Sequence, residues 1–222
     1  ANALLGLGRR RGDRVAVLAY NCIEWAEIYA AAAKCGLVAV PINFLLRQRE
    51  LSYILEQSDA SLLITMDCLR ERDYLADLDA LYPGWERDGG GSRLSKLRGV
   101  FVFSEERTVR SGAKTLDDLA ALATAGSEAE LAAREADADG TALSDVVYTS
   151  GTTGLPKGVM LNHDMILRAA YASAYTRAFE DGRRILFSLP MYHVFGYVEC
   201  MIACTFVGGA LIPHITFDAT QM

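Results

Sequence analysis

Apolar residues along this chain gather in short runs separated by amphipathic stretches. Residues 14–19 (RVAVLA) form a valine-rich run of strand length. Asn21 then stands where a helix N-cap belongs, with Glu24 three residues on in capping-box position. The alanine-rich helix expected over 23–35 is closed by Gly36, a natural left-handed C-cap. Residues 37–40 predict a second strand, ended by Pro41. Over 47–57, Leu51, Ile54 and Leu55 recur at the i, i+3, i+4 spacing of an amphipathic helix, and 61–65 predict a third strand. Such alternation with short connections predicts an α/β fold, with parallel-rich sheets flanked by helices.

The middle of the chain is less regular. Residues 82–95 carry a Gly triplet among alternating charges and predict an exposed loop, with a possible subdomain seam near 82–96. Residues 100–103 predict a strand, and 115–136 two short helices joined at Gly126-Ser127. Alternation then returns. A strand at 146–148 feeds a glycine-rich loop at 149–158, followed by a strand at 159–161 and a helix over 163–179. A strand at 185–189 ends at Pro190. A buried helix over 194–206 and a strand at 210–213 follow.

Composition narrows the function classes. The 222 residues carry 22 Lys and Arg against 28 Asp and Glu, a net charge of -6. With no basic stripe, nucleic acid is not an expected partner. The five cysteines are odd in number and lack CxxC spacing, so they are expected to be reduced thiols of a cytoplasmic protein, and no metal site is expected within the chain. The most apolar stretch, 194–213, contains Glu199, Gly208 and Gly209, which argues against a membrane span.

The chemistry concentrates in 148–158 (YTSGTTGLPKG). Glycines let backbone N–H groups turn toward an anion without Cβ clashes. Thr149, Ser150, Thr152 and Thr153 offer hydroxyl donors, and Lys157 adds a mobile positive charge. The set suits a polyphosphate whose charge is held and then redistributed. A glycine- and threonine-rich surface loop is the plain alternative. A P-loop NTPase is the sharper one, but it needs Ser or Thr after the lysine and a helix starting there. Here Pro156 precedes Lys157, Gly158 follows it, and a strand is expected next.

The string Thr149-Ser-Gly-Thr-Thr-Gly-Leu-Pro-Lys-Gly158 resembles the phosphate-loop signature of the adenylate-forming superfamily, which includes acyl-CoA synthetases. GDRVAV at 12–17, the turn at 21–25, KCGLVAVPIN at 34–43, ELSYILEQS at 50–58 and LPMYHVFG at 189–196 look like other segments of such enzymes, whereas 82–142 matches weakly. The resemblance implies that the whole chain is part of the large N-terminal AMP-binding domain of an ATP-dependent carboxylic acid–CoA ligase. Such an enzyme first forms an acyl-adenylate and pyrophosphate, then passes the acyl group to coenzyme A. It further implies that Thr149, Ser150, Gly151, Thr152, Thr153, Gly154 and Lys157 hold the ATP phosphates. His193 would orient the carboxylate, and the acid pocket would begin at Tyr192, His193, Phe195 and Gly196. Mg²⁺, adenine and ribose contacts, and the adenylation lysine of a C-terminal domain, are expected beyond Met222, so the chain alone is expected to be inactive.

His193 is not expected to act as a general base, because a carboxylate nucleophile is already ionised at neutral pH. His163 is expected to cap or pack, His214 to lie at the surface, and Tyr171 and Tyr175 to sit in the core. The aromatic residues Tyr192, Phe195 and Tyr197, with Met201, favour a fatty or aromatic acid over an amino acid. A non-catalytic phosphate-binding module, a structural domain with a relic loop, and an adenylation domain for another acid are the rival functions. Loss of polyphosphate binding in Lys157→Ala would exclude the relic.

Overall fold

Val15, Val17 and Leu18 are almost fully buried, which is what an unbroken apolar run predicts for an interior parallel strand covered on both faces. The computed structural model describes residues 1–105, 109–124, 126–149, 154–215 and 219–220. Its strands are β1 (Arg14–Leu18), β2 (Val38–Pro41), β3 (Ala60–Met66), β4 (Cys68–Leu69), β5 (Arg72–Asp73), β6 (Val100–Phe103), β7 (Leu143–Thr149), β8 (Lys157–Asn162), β9 (Arg184–Phe187) and β10 (Ala210–Pro213). Six of them form one sheet in the order β6-β3-β1-β2-β7-β8. All neighbours in it are parallel except β7 and β8, which form an antiparallel pair at one edge. Strands β9 and β10 make a second, parallel pair, and β4 and β5 a small antiparallel ribbon.

The helices are α1 (Asn2–Gly6), α2 (Ile23–Lys34), α3 (Gln48–Gln57), α4 (Tyr74–Leu81), α5 (Trp85–Asp88), α6 (Leu116–Ala120), α7 (Ser127–Ala136) and α8 (His163–Thr176). Helix α2 packs on β1 and β2, and α3 on β3. Gly36 takes φ +67° just beyond α2, as the left-handed cap requires. The helical run 194–205 is not a regular α-helix, because Tyr197–Ile202 has π-helical hydrogen bonding. The Glu199 carbonyl inside that segment accepts from Ser173 Oγ on α8 at 3.2 Å and from Arg177, the residue that caps α8, at 3.0 Å. A widened turn leaves such a carbonyl free for partners outside its own helix.

Three expectations fail here, and a fourth, for His214, is met only in part. Asn21 does not cap α2: the N-cap position is Cys22, with no side-chain cap bond. The stretch 82–95 is not an exposed loop, since it forms α5 and buries Tyr82, Trp85 and Leu94 in the main core. Trp85 Nε1 donates to Asp79 at 2.9 Å, so the glycines there shape a corner around a buried indole. Tyr171 and Tyr175 are exposed on α8, stacked on each other with centroids 6.4 Å apart. His214 is half-buried, and its backbone N–H donates to the Phe187 carbonyl at 2.8 Å.

Candidate active site

Strands β7 and β8 form a hairpin whose last rung pairs Thr149 with Lys157. The glycine- and threonine-rich loop is therefore the tip of an antiparallel hairpin, and a strand begins at the lysine, where a P-loop NTPase would need a helix. Ser150, Gly151, Thr152 and Thr153 lie outside the described residues. Gly154 has φ +97° and, among the described residues, nothing within 4 Å of a hypothetical Cβ, so it is the backbone conformation that demands glycine. Gly158 is glycine for another reason: a Cβ would lie 2.9 Å from Val146 Cγ1 and 3.2 Å from the Tyr148 ring. That ring is tied to α3, because the Tyr148 hydroxyl donates to Gln57 Oε1.

The opposite wall comes from the loop between β2 and α3. Arg72 donates to the carbonyls of Phe44 (2.7 Å) and Leu46, and the Tyr74 hydroxyl donates to Phe44 O at 2.8 Å. Glu50 Oε2 accepts from the Arg47 N–H at 3.0 Å, closing the start of α3. Braced in this way, Phe44 meets the Tyr192 ring edge-on with centroids 5.2 Å apart.

The third wall is the turn after β9. Asn21 is buried, accepts from Met191 N at 2.7 Å, and donates to the carbonyls of Leu189 and His214, each at 2.9 Å. His193 occupies the N-cap position of the run 194–205, and its Nδ1 accepts from Phe195 N at 3.2 Å. With Nδ1 engaged as an acceptor, the proton of a neutral imidazole resides on Nε2, which is left as a donor. Gly196 lets the turn close, because a Cβ there would come 2.3 Å from Pro190 O.

These walls enclose a cavity of about 680 Å³ beyond the carboxyl ends of β2 and β7, where open α/β sheets bind ligands. Thr149 and Gly154 line it together with Tyr192 and His193, so the described ends of the loop and the aromatic-His turn face one space. Phe195 and Gly196 do not line it. Phe195 lies under the Arg177 guanidinium, 5.1 Å from its ring centre, and Gly196 is buried against the turn. Tyr197 and Met201 belong to the core. Lys157 is exposed beside Thr149. An exposed hydroxyl and an ammonium on one rung, beside a glycine with a positive φ, are a donor set that fits a polyphosphate.

The sequence reasoning missed Asn43, Leu46, Glu50 and Ile54, which supply the α3 side of the cavity. Pro41 at the end of β2 was the available signal, since it marks a carboxyl strand end. Among the described residues no group of three or more His, Cys, Asp or Glu could hold a metal ion. Burial pushes the thiol of Cys22 up to about 12, so its place at a helix N-terminus does not make it a nucleophile.

Comparison with known proteins decides the family. The sequence model of AMP-binding enzymes matches residues 1–222. The chain belongs to the AMP-binding enzyme family. It is 36% identical over 222 residues to the putative acyl-CoA synthetase YngI of Bacillus subtilis, covering 98% of this chain and 40% of that protein. The structure superimposes on the N-terminal domain of FACL13 from Mycobacterium tuberculosis with a TM-score of 0.72 at 28% identity, covering 99% of this chain and 48% of the other. It matches ATP-bound MatB from Rhodopseudomonas palustris with a TM-score of 0.74 at 25% identity, covering 99% and 38%. This AMP-binding enzyme chain thus spans less than half the length of these relatives, and corresponds to their N-terminal part.

Proposed function

We propose that this chain is the section of an ATP-dependent acid–CoA ligase that grips the ATP phosphates and begins the acid pocket. One observation carries the reading: Thr149 and Gly154 share a cavity with Tyr192 and His193. A site of this kind must hold a polyphosphate and a carboxylate together, because effective molarity supplies much of the rate when two bound groups react. In the first step a carboxylate oxygen bonds to the α-phosphorus and the bond to the β-phosphate oxygen breaks, releasing pyrophosphate. The 149–154 ribbon and Lys157 bind the departing phosphates and stabilise their charge. His193 orients the carboxylate through its Nε2–H donor. In the second step the coenzyme A sulfur takes the acyl group and AMP leaves. Mg²⁺ would be held by residues outside this chain.

The acid is fatty or aromatic. Leu46, Ile54, Val159, Leu161 and the Tyr192 ring supply apolar wall, and Glu50, the one carboxylate among the described lining residues, is already engaged at the start of α3. The buried thiols of Cys35, Cys200 and Cys204, none of them in a disulfide, suit a reducing compartment, and the cytoplasm is proposed. No helix among the described residues is long and apolar enough to cross a membrane.

Calorimetric titration of pyrophosphate and ATP into this chain and into Lys157→Ala tests the grip. Weak binding by the chain, at least tenfold weaker in the variant, supports it; equal binding would sink it. An acid panel read by pyrophosphate release from the full-length enzyme then identifies the substrate. The isolated chain is expected to form no thioester.

A further inference from the structure

Asp145 lies on β7, four residues before Thr149, and is fully buried. Its Oδ2 accepts from the Tyr29 hydroxyl at 3.1 Å, while Oδ1 has no partner. Two further buried polar atoms, on rings that pack with Tyr29, are also unpartnered, Tyr197 Oη and Trp25 Nε1. The three rings pack on one another: Trp25 on Tyr29 at 5.4 Å, Tyr29 on Tyr197 at 5.2 Å and Trp25 on Tyr197 at 5.6 Å. Buried polar atoms without partners are rare and costly, so three in one cluster call for an explanation.

The position supplies one. Tyr197 directly follows Gly196, opens the π-helical segment, and stands four residues after His193. The cluster therefore joins the strand that feeds the phosphate loop to the turn that presents His193, with α2 between them. We propose that Asp145, with Tyr29 and Tyr197, is a positioning cluster that couples the seating of the His193 turn to the phosphate-loop strand according to whether Asp145 carries a proton.

An ionised Asp145 needs donors, and Ser144, Tyr29 and Tyr197 are the hydroxyls available; of these Tyr197 is the one on the His193 side, and turning its O–H toward the carboxylate draws the turn in. A protonated Asp145 needs fewer donors and releases Tyr197. Burial opposes the ionised form, outweighing Ser144 and Tyr29, which favour it, and pushes the carboxyl up to about 7. The groups around it are Trp25 and Tyr29 from α2, Ser144 from β7 and Tyr197 from the π-segment; Ala39 on β2 and Leu161 on β8, its register neighbours, do not ionise. The coupling rests on the proposed function only for its purpose, since its test uses no ligand and is independent of the Lys157→Ala titration.

That test is a pH titration of this chain by amide and indole NMR between pH 5.5 and 8.5. The Trp25 indole N–H, the Gly196 amide and the Gly154 amide are expected to move with one shared midpoint near pH 7, and Asp145→Asn to abolish all three shifts. Tyr197→Phe, which removes only the hydroxyl, is expected to keep the Trp25 shift and to lose at least half of the Gly196 shift. A Gly196 or Gly154 amide indifferent to pH, or a midpoint surviving in Asp145→Asn, would overturn the coupling. So would an undiminished Gly196 shift in Tyr197→Phe, a measurement that holds even if Asp145→Asn fails to fold.

Discussion

Asn21 Oδ1 accepts a hydrogen bond from the Met191 N–H at 2.7 Å, across 170 residues of sequence. Its amide nitrogen meets the carbonyls of Leu189 and His214. One side chain just past β1 thus satisfies three backbone groups at the carboxyl ends of β9 and β10, and so fixes the turn that carries Tyr192 and His193. The acceptor and two donors of a primary amide match one N–H and two C=O groups, a match no other short side chain provides.

Asn21→Ala is therefore expected to destabilise the chain by roughly 2–4 kcal/mol, because it orphans one buried and two part-buried backbone groups. Asn21→Asp is expected to cost at least as much, since it sets a carboxylate oxygen against two carbonyls. Urea unfolding midpoints check both; a loss under about 0.5 kcal/mol for either would show that water replaces the amide.

Gly196→Ala places a methyl group 2.3 Å from Pro190 O and 3.0 Å from Leu189 O. Backbone cannot swing aside as a long side chain can, so the turn must open. A loss of about 1–3 kcal/mol is expected, the usual range for overpacking. In the full-length enzyme the Michaelis constant for the acid should rise, because His193 moves with the turn. Unchanged stability together with an unchanged Michaelis constant would contradict the close approach.

Much of this was legible in the sequence where one force dominates. Strands β1 and β2 were readable because interior parallel strands are apolar on both faces, and Gly36 because a left-handed cap excludes other residues. The hairpin rung of Thr149 and Lys157 was half-legible: a strand was expected from residue 159, but its antiparallel pairing, which extends it to 157, is a tertiary fact. Asn21 was misread because a capping residue and a long-range bridging amide look alike in sequence. Tyr171 and Tyr175 carry the spacing of a buried stripe, yet the packed face of α8 uses Ile166, Ala170, Ser173 and Ala174. The α3 wall at Leu46, Glu50 and Ile54 went unseen, because nothing local distinguishes a helix face that packs on a core from one that borders a cavity.

His193 caps the run 194–205 through Nδ1, and the proposed function gives it a second, separable task, donating to the carboxylate through Nε2. Asparagine is also a good N-cap acceptor. His193→Asn is thus expected to keep stability within about 0.5 kcal/mol, whereas His193→Ala loses about 1 kcal/mol of capping. Both should weaken acid use in the full-length enzyme by tenfold or more, measured as acid-dependent pyrophosphate release. Full activity in His193→Asn would show that the imidazole serves only as a cap.

Asp145 also makes stability depend on pH in a predictable direction. Burial raises its carboxyl from 3.8 to about 7 in the folded chain. Below pH 4 the group is protonated folded or unfolded and costs nothing. Between about 4 and 7 the unfolded chain releases the proton while the folded chain keeps it, so stability falls as pH rises, and above 7 the loss is complete. Each pH unit in that window is worth about 1.4 kcal/mol, so the full loss approaches roughly 4 kcal/mol. Asp145→Asn removes this dependence while retaining an acceptor for Tyr29. The variant's advantage over the parent should grow by about 2–4 kcal/mol between pH 4.5 and pH 8, as read from paired urea melts. Because other carboxylates titrate equally in both proteins, the difference between the two isolates Asp145. A difference that stayed flat from pH 4.5 to 8 would mean that the carboxylate is not held neutral, and that Tyr29, Ser144 and trapped water solvate its charge.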